Sequence, residues 1–284
     1  MPNEEYIIKQ SYKELPPSGD ELCLSLYLTP HSFTYAIFNS HYSKVYELCE
    51  VEITAYGKQS QSLTEKIFFL IHNHLLHQKK FEKTNICILN SDFTLVPESF
   101  SSGEFKHLLQ FTTGNQTIKI SREHKIKDLK FCFSANQDLI SDLERFFPNA
   151  SIRHSGAVAI DLFFSQHSLI KSNLFLSISN GMIELVGKEN NQVLFYNVFK
   201  YDNNEDVLYY LLFMMEQFQL NPLEVKLSIA GNRDLNDELI KSIKKYIKQV
   251  YFAVHEPTVL LSNELNDLPK QYNFTLLNQH VCAL

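Results

Sequence analysis

The chain has no excess of basic residues, no apolar run of membrane length, no paired-cysteine motif and few glycines. Each absence removes a class of function. With 26 Lys and Arg against 32 Asp and Glu, the net charge is −6. No overall basic field therefore draws the chain to nucleic acid or to an anionic membrane surface. The longest strongly apolar run, VLYYLLFMM at residues 207–215, falls well short of the ~20 residues of a membrane-spanning helix. The opening MPNEEYIIKQSYKELPPSGDE is acidic and lacks the apolar core of a secretory signal. Together these features predict a soluble, cytoplasmic protein. Cys23, Cys49, Cys87, Cys132 and Cys282 are odd in number, far apart and mostly set in apolar runs such as NICILN and KFCFS. They read as small buried hydrophobes in a reducing compartment, not as zinc or redox ligands.

What is present is the composition of an ordinary folded protein, 44% apolar and 20% charged over 284 residues, enough for one large domain or two moderate ones. The order of elements repeats. In the second half, NLFLSISNGMIELVGKENNQVLFYNVFKY reads as three strands joined by two tight turns, with Asn180-Gly181 as a type I′ pair. NNEDVLYYLLFMMEQFQLNP follows as a helix capped by Asn203 or Asn204 and stopped by Pro222. Then come a strand (EVKLSIAGN), a helix with the apolar stripe Leu235, Leu239, Ile243, Tyr246, Ile247 and Val250, and a short strand (VYFAVHEP). In the first half, ELCLSLYL, SFTYAIFNS and KVYELCEVEIT are three strands. A helix starts after Ser62, and TNICILN is the strand after it. Residues 91–124 read as irregular, and DLKFCFSAN, QDLISDLERFF, ASIRHS and GAVAIDLFFSQHSL close the half as strand, helix, strand and helix.

Two copies of a βββαβαβ order give an α/β fold of mixed sheets flanked by helices. Over roughly residues 21–256 this plan resembles the duplicated ribonuclease-H-like architecture of the actin-like ATPase superfamily, which includes actin, sugar kinases, heat-shock chaperones and bacterial pilus-assembly and cell-division scaffolds. More narrowly, the chain resembles an uncharacterised bacterial domain-of-unknown-function family with that fold. The ends YIIKQSYKEL and NFTLLNQHVCAL also suit that family. The implied organisation is an N-terminal extension (1–20), a first actin-like subdomain (21–171) and a second one carrying a C-terminal extension (172–284).

The resemblance implies a nucleotide cleft between the halves, each contributing a hairpin whose first strand ends in Asp-x-Gly. The Asp serves Mg²⁺, and the Gly lets backbone N–H groups approach phosphate. In the first copy, Tyr27 stands at the Asp position and Thr29 at the Gly position, and Pro30 removes one backbone donor. No glycine lies between Gly19 and Gly57 to rescue the loop. In the second copy, Ser177 and Ser179 take the two positions, followed by Asn180-Gly181. A third element, Ala230-Gly231-Asn232, falls where the superfamily places an adenosine-contacting turn, with Asp234 as the cap of the next helix. The candidate nucleotide-contacting set is Ser177, Ser179, Asn180, Gly181, Gly231 and Asn232. No catalytic residue and no metal ligand is assigned. Without the two carboxylates, in-line phosphoryl transfer loses its metal anchors.

Other motifs carry less. His72, His74 and His77 share a helix but lack HExxH spacing and read as a solvated surface. His154, Ser155 and Gly156 lack the GxSxG elbow. Asp161, inside an apolar helix, reads as one member of an ion pair or as an inter-domain contact. Lys241, Lys244, Lys245 and Lys248, and the stretch KISREHKIKDLK, read as solvated basic faces. The helix at residues 207–215 is apolar almost all round, which suits sandwiching between layers or a protein interface.

The sequence thus points to a non-catalytic actin-like scaffold or protein-interaction module with an eroded nucleotide site. Its expected partner is another protein or a second copy, with no membrane, no nucleic acid and no required cofactor. The alternative is a residual nucleotide-binding protein, ATPase or kinase that uses ATP and magnesium in the cleft. A further expectation is a narrow or closed cleft with Tyr27 near Ser177.

Overall fold

The computed structural model describes residues 6–53, 62–100, 105–114, 121–126, 128–165, 170–254 and 269–283. Strands β2 (Leu22–Leu28), β3 (Ser32–Asn39) and β4 (Val45–Ile53) form an antiparallel meander, and β5 (Lys83–Ile88) and β9 (Ala150–His154) extend it in parallel. The N-terminal strand β1 (Tyr6–Lys13) adds to the outer edge against β4, giving the order β1-β4-β3-β2-β5-β9. The second sheet repeats this plan with β10 (Ser172–Ser179), β11 (Met182–Glu189), β12 (Gln192–Lys200), β13 (Lys226–Gly231) and β14 (Gln249–Phe252), in the order β12-β11-β10-β13-β14. Removing β1 leaves the same order in both sheets: third, second, first, fourth and fifth strand.

Side-chain alternation builds the layers. Leu24, Leu26 and Leu28 of β2 face the helices α1 (Leu63–Asn73) and α3 (Gln137–Phe146), whereas Cys23 and Tyr27 face the centre of the molecule. In β10, Leu174, Leu176 and Ile178 face α5 (Asn204–Gln217) and α6 (Glu238–Tyr246), and Phe175 faces the centre. Between the two sheets lie α4 (Ser155–Ser165) and the short C-terminal helix α7 (Phe274–Asn278), both largely buried. Both faces of each sheet are therefore covered, which is why β2 and β10 read as nearly continuous apolar runs.

Local signals act where expected. Ser62 and Glu65 form a capping box on α1, and Asn203 with Asp206 forms another on α5. Other expectations need correction. Where it is described, the stretch 91–124 is not irregular. Among the described residues, β6 (Phe93–Pro97) and β7 (Ser121–Ile126) join β8 (Leu129–Ser134) in a separate three-stranded antiparallel sheet, against which helix α2 (Phe105–Thr113) packs, so DLKFCFSAN does not enter the main sheet. These strands are short and β7 is charged, so neither gives a clear apolar period. Helix α6 begins only at Glu238, capped by Asp237 and not by Asp234, and Leu235 and Tyr246 are exposed. The chain leaves α1 at Asn73 and turns at Leu75 (φ 54°), bringing the His72 and His77 rings to 4.3 Å. Pro222 lies beyond the true end of α5, which stops at Gln217 before Gln219 takes φ 54°. Part of SQHSL and of VHEP lies outside the described residues.

Helix α5 buries Val207, Leu211, Met214 and Met215 but leaves Tyr209 and Phe213 exposed, so it has one covered face and one open one. Among the described residues no helix is long and apolar enough to cross a membrane.

Candidate functional site

The two meanders point their first turns at each other. Tyr27 faces Thr34 across the β2–β3 hairpin, and Ser177 faces Glu184 across the β10–β11 hairpin, in the same register position of the repeat. The two pairs meet at the centre. Tyr27 Oη lies 3.1 Å from Ser179 Oγ and 3.3 Å from Glu184 Oε2. Glu184 is fully buried and also accepts from Ser155 Oγ of α4 at 2.8 Å, from Tyr196 Oη of β12 at 2.7 Å, and from Ser177. All its donors are neutral hydroxyls. Burial outweighs these bonds and raises the carboxyl's pKa above its ordinary value. The phenols of Tyr27 and Tyr196 are pushed well up by the same burial and by the neighbouring carboxylate.

Above this cluster a cleft of about 280 Å³ lies between the halves. Ser177, Ser179, Asn180, Gly231 and Asn232 all line it, so five of the six candidate residues come together. Tyr27 turns inward beside Ser177, and the cleft between the halves is not closed. Gly181 sits at the hairpin tip beneath the His31 ring, where a Cβ would lie 3.1 Å from Cδ2. The two turns therefore touch.

The donors that a phosphate would use are largely engaged within the protein. In the β2–β3 turn, Thr29 Oγ1 accepts from the N–H of His31 at 3.1 Å and of Ser32 at 2.8 Å. Asn232 Nδ2 donates across the cleft to Glu50 Oε2 at 2.9 Å, and Asn180 hydrogen-bonds Glu52. Both glutamates lie on β4 and line the cleft. The Asn180-Gly181 turn is not the expected type I′, because only Gly181 has positive φ, at 71°. Both positive values occur instead at Asn190 (50°) and Asn191 (62°), between β11 and β12. Gly231 takes φ 119°, and a Cβ there would lie 2.3 Å from the carbonyl oxygen of Ile178. A backbone approach and a turn thus account for this glycine. Tyr27 and Ser177, the residues expected at the Asp positions, offer a phenol and a serine hydroxyl, a poor donor set for a hard cation.

Reading the sequence for motifs missed Glu50, Glu52 and Glu184. The alternation of β4 signals a solvated face as readily as an inter-domain one, and Glu184 is a lone charge in an otherwise apolar stretch of β11. The remaining candidates occupy structural positions. His154 is fully buried among aromatic rings, its Nδ1 accepts from Gly156 N at 2.9 Å, and its pKa is pushed down to about 3 by burial. Asp161 pairs with Arg153 at 2.5 Å, and Arg153 also donates to the carbonyl of Cys282 at 2.7 Å, tying down the C-terminal segment. His74 Nδ1 meets Tyr35 Oη at 3.2 Å, and no group of three or more metal-ligating side chains occurs among the described residues. Lys241, Lys244, Lys245 and Lys248 are exposed. The cysteines are free, four of them buried, and burial pushes the thiols up, to about 12 at Cys132.

With this geometry in hand, comparison with known proteins is informative. The model of a family described as proteins of unknown function, DUF3822, matches residues 18–250, and the chain belongs to that family. A Bacteroides thetaiotaomicron VPI-5482 protein, described as having an actin-like ATPase fold and unknown function, matches with a TM-score of 0.71 at 22% identity. The match covers 82% of this chain and 91% of that chain. A chain of the PilM-PilN type IV pilus biogenesis complex matches with a TM-score of 0.53 at 10% identity, covering 92% and 97%. No curated protein matches the chain in sequence. The fold is the duplicated actin-like ATPase fold, as the order of elements implied.

Proposed function

We propose that this member of the DUF3822 family is a non-catalytic actin-like module that acts by binding another protein or a second copy of itself. The observation that carries this reading is the contact of Tyr27 with Ser179 and Glu184. A neutral side chain at the position expected to anchor a metal links the two halves instead. Asn180 and Asn232 support it, because both spend their side-chain amides on glutamates of the opposite half. The PilM-PilN structure supports it more loosely, since the matching fold is found there within a protein complex.

Phosphate release from ATP with Mg²⁺ tests the reading. The purified chain is expected to release none above buffer. Tyr27→Asp combined with Thr29→Gly is expected to release none either, because Ser177 still supplies no carboxylate. Metal-dependent turnover by the wild-type chain would overturn the proposal.

A second reading, a residual nucleotide binder, draws on the five candidate residues gathered in one cleft. Thermal melting with and without ATP and Mg²⁺ separates the two. A ligand at a hundred times its Kd stabilises by about 2.7 kcal/mol. An unchanged melting point at millimolar ATP, repeated with other nucleotides, rejects nucleotide binding.

A further inference from the structure

The charges lining the cleft are equal in number, but one of the two cations is engaged by a carboxylate outside the lining. Four ionic side chains border it: Lys9, Glu50, Glu52 and Arg233. Lys9 pairs with Glu52 at 2.5 Å, and Arg233 pairs with Asp237, which is not part of the lining, at 2.9 Å. Glu50 is left over. Among the described residues its one direct bond is from the neutral amide of Asn232, and Lys9 acts on it through space. A partly buried carboxylate without a direct ion pair is costly to keep ionised, and the cost is relieved by a further cation.

The position of Glu50 follows from the strand. Along β4, Cys49, Val51 and Ile53 face the core shared with α1, so Glu50 and Glu52 fall on the opposite face, toward the second half. The rest of the wall includes Tyr201, Ile178, Phe274 and Leu276, which offer apolar contact. We propose that the cleft binds an organic cation, its ammonium or guanidinium group on Glu50 and its apolar stem against Tyr201, Phe274 and Leu276.

Three observations narrow the ligand class. An anion would meet Glu50 and Glu52 while both basic residues are already paired. A hard divalent ion wants six or more oxygen ligands, and no cluster of three acidic or metal-ligating side chains exists among the described residues. The cleft volume of about 280 Å³ equals the liquid volume of roughly nine waters, a size suited to a small amine or one long basic side chain. This inference goes beyond the scaffold reading and can fail without it, because amine binding and ATP turnover are separate measurements.

Calorimetric titration of the full chain tests it with three probes: agmatine, a capped Gly-Arg-Gly tripeptide, and glycerol as the neutral control. Agmatine or the tripeptide is expected to bind and glycerol is not. Tighter binding of agmatine identifies a free amine as the ligand, and tighter binding of the tripeptide identifies a partner's basic side chain. Glu50→Gln keeps the acceptor for Asn232 and removes the charge, so the Kd is expected to rise about tenfold or more. The variant is also expected to melt at or above the wild-type temperature. In the wild type, binding is expected to weaken as acid protonates Glu50, a readout that needs no variant. Absence of heat with both cations, or equal affinity in Glu50→Gln, overturns the proposal.

Discussion

The Tyr27 hydroxyl lies 3.1 Å from Ser179 Oγ and joins a strand end of the first half to the matching hairpin of the second. Tyr27 and Ser177 occupy equivalent places in the repeat, and the contact falls two residues beyond Ser177, at the end of its strand. Opening the cleft must break it, and must also leave Glu184 with one hydroxyl donor fewer.

Tyr27→Phe removes the link without changing the ring. The chain is expected to lose about 1–3 kcal/mol of stability, since the buried Glu184 and the half-buried Ser179 are left short. Urea unfolding checks this through a lower midpoint at unchanged slope. Faster amide exchange at Ser179 to Gly181 should accompany it. An unaltered midpoint would mean that the hydroxyl contributes nothing to closure.

Glu184 gives a pH signature. Its carboxyl pKa is raised in the folded chain, against 4.5 for an ordinary side chain. Above pH 4.5 the folded state therefore holds more protons than the unfolded state. Its contribution falls as pH rises through that window and levels off once the buried carboxyl ionises. Glu184→Gln is expected to match or exceed the wild type in stability at pH 8. The advantage should shrink toward pH 4.5, as paired melting curves across that range would reveal.

His154 acts in the opposite sense. The unfolded imidazole takes its proton near pH 6.5, whereas the buried one waits until about 3. Stability is lost as pH falls through that interval, by up to about 1.4 kcal/mol per pH unit. His124 and His280, both pushed down to about 4 by burial, add to the same slope. In a proton NMR titration, the His154 ring signals should not move between pH 8 and 5. A midpoint near 6.5 would contradict the buried, neutral assignment.

Gly231→Ala places a side chain at φ 119° and 2.3 Å from the Ile178 carbonyl. The backbone must shift, and a loss of about 2–4 kcal/mol is expected. Gly19→Ala is the control, since φ there is 93° but nothing lies within 4 Å, so only conformational strain applies. Chemical denaturation of both variants separates steric conflict from strain, and equal losses would dismiss the close approach.

The repeat itself was legible because each hairpin and its following helix carry their own local signals. Period-two runs such as LCLSLYL mark strands, and Ser62 and Asn203 cap the helices in isolation from the rest of the chain. The positions of Tyr27, Ser177 and Gly231 relative to the superfamily's pattern also follow from order along the chain. The inserted sheet of β6, β7 and β8 was hidden, because short strands with mixed charge give no period until their neighbours cover them. The two cleft carboxylates and the buried Glu184 beneath them were hidden for a related reason. Position along β4 and β11 assigns Glu50, Glu52 and Glu184 to a face of a sheet, but says nothing of what lies opposite. Only the docking of the two halves turns that face inward, removes water from Glu184 and sets Asn180 and Asn232 against Glu52 and Glu50. Desolvation belongs to the assembled pair of halves, so the chemistry of the cleft is a property of the tertiary structure.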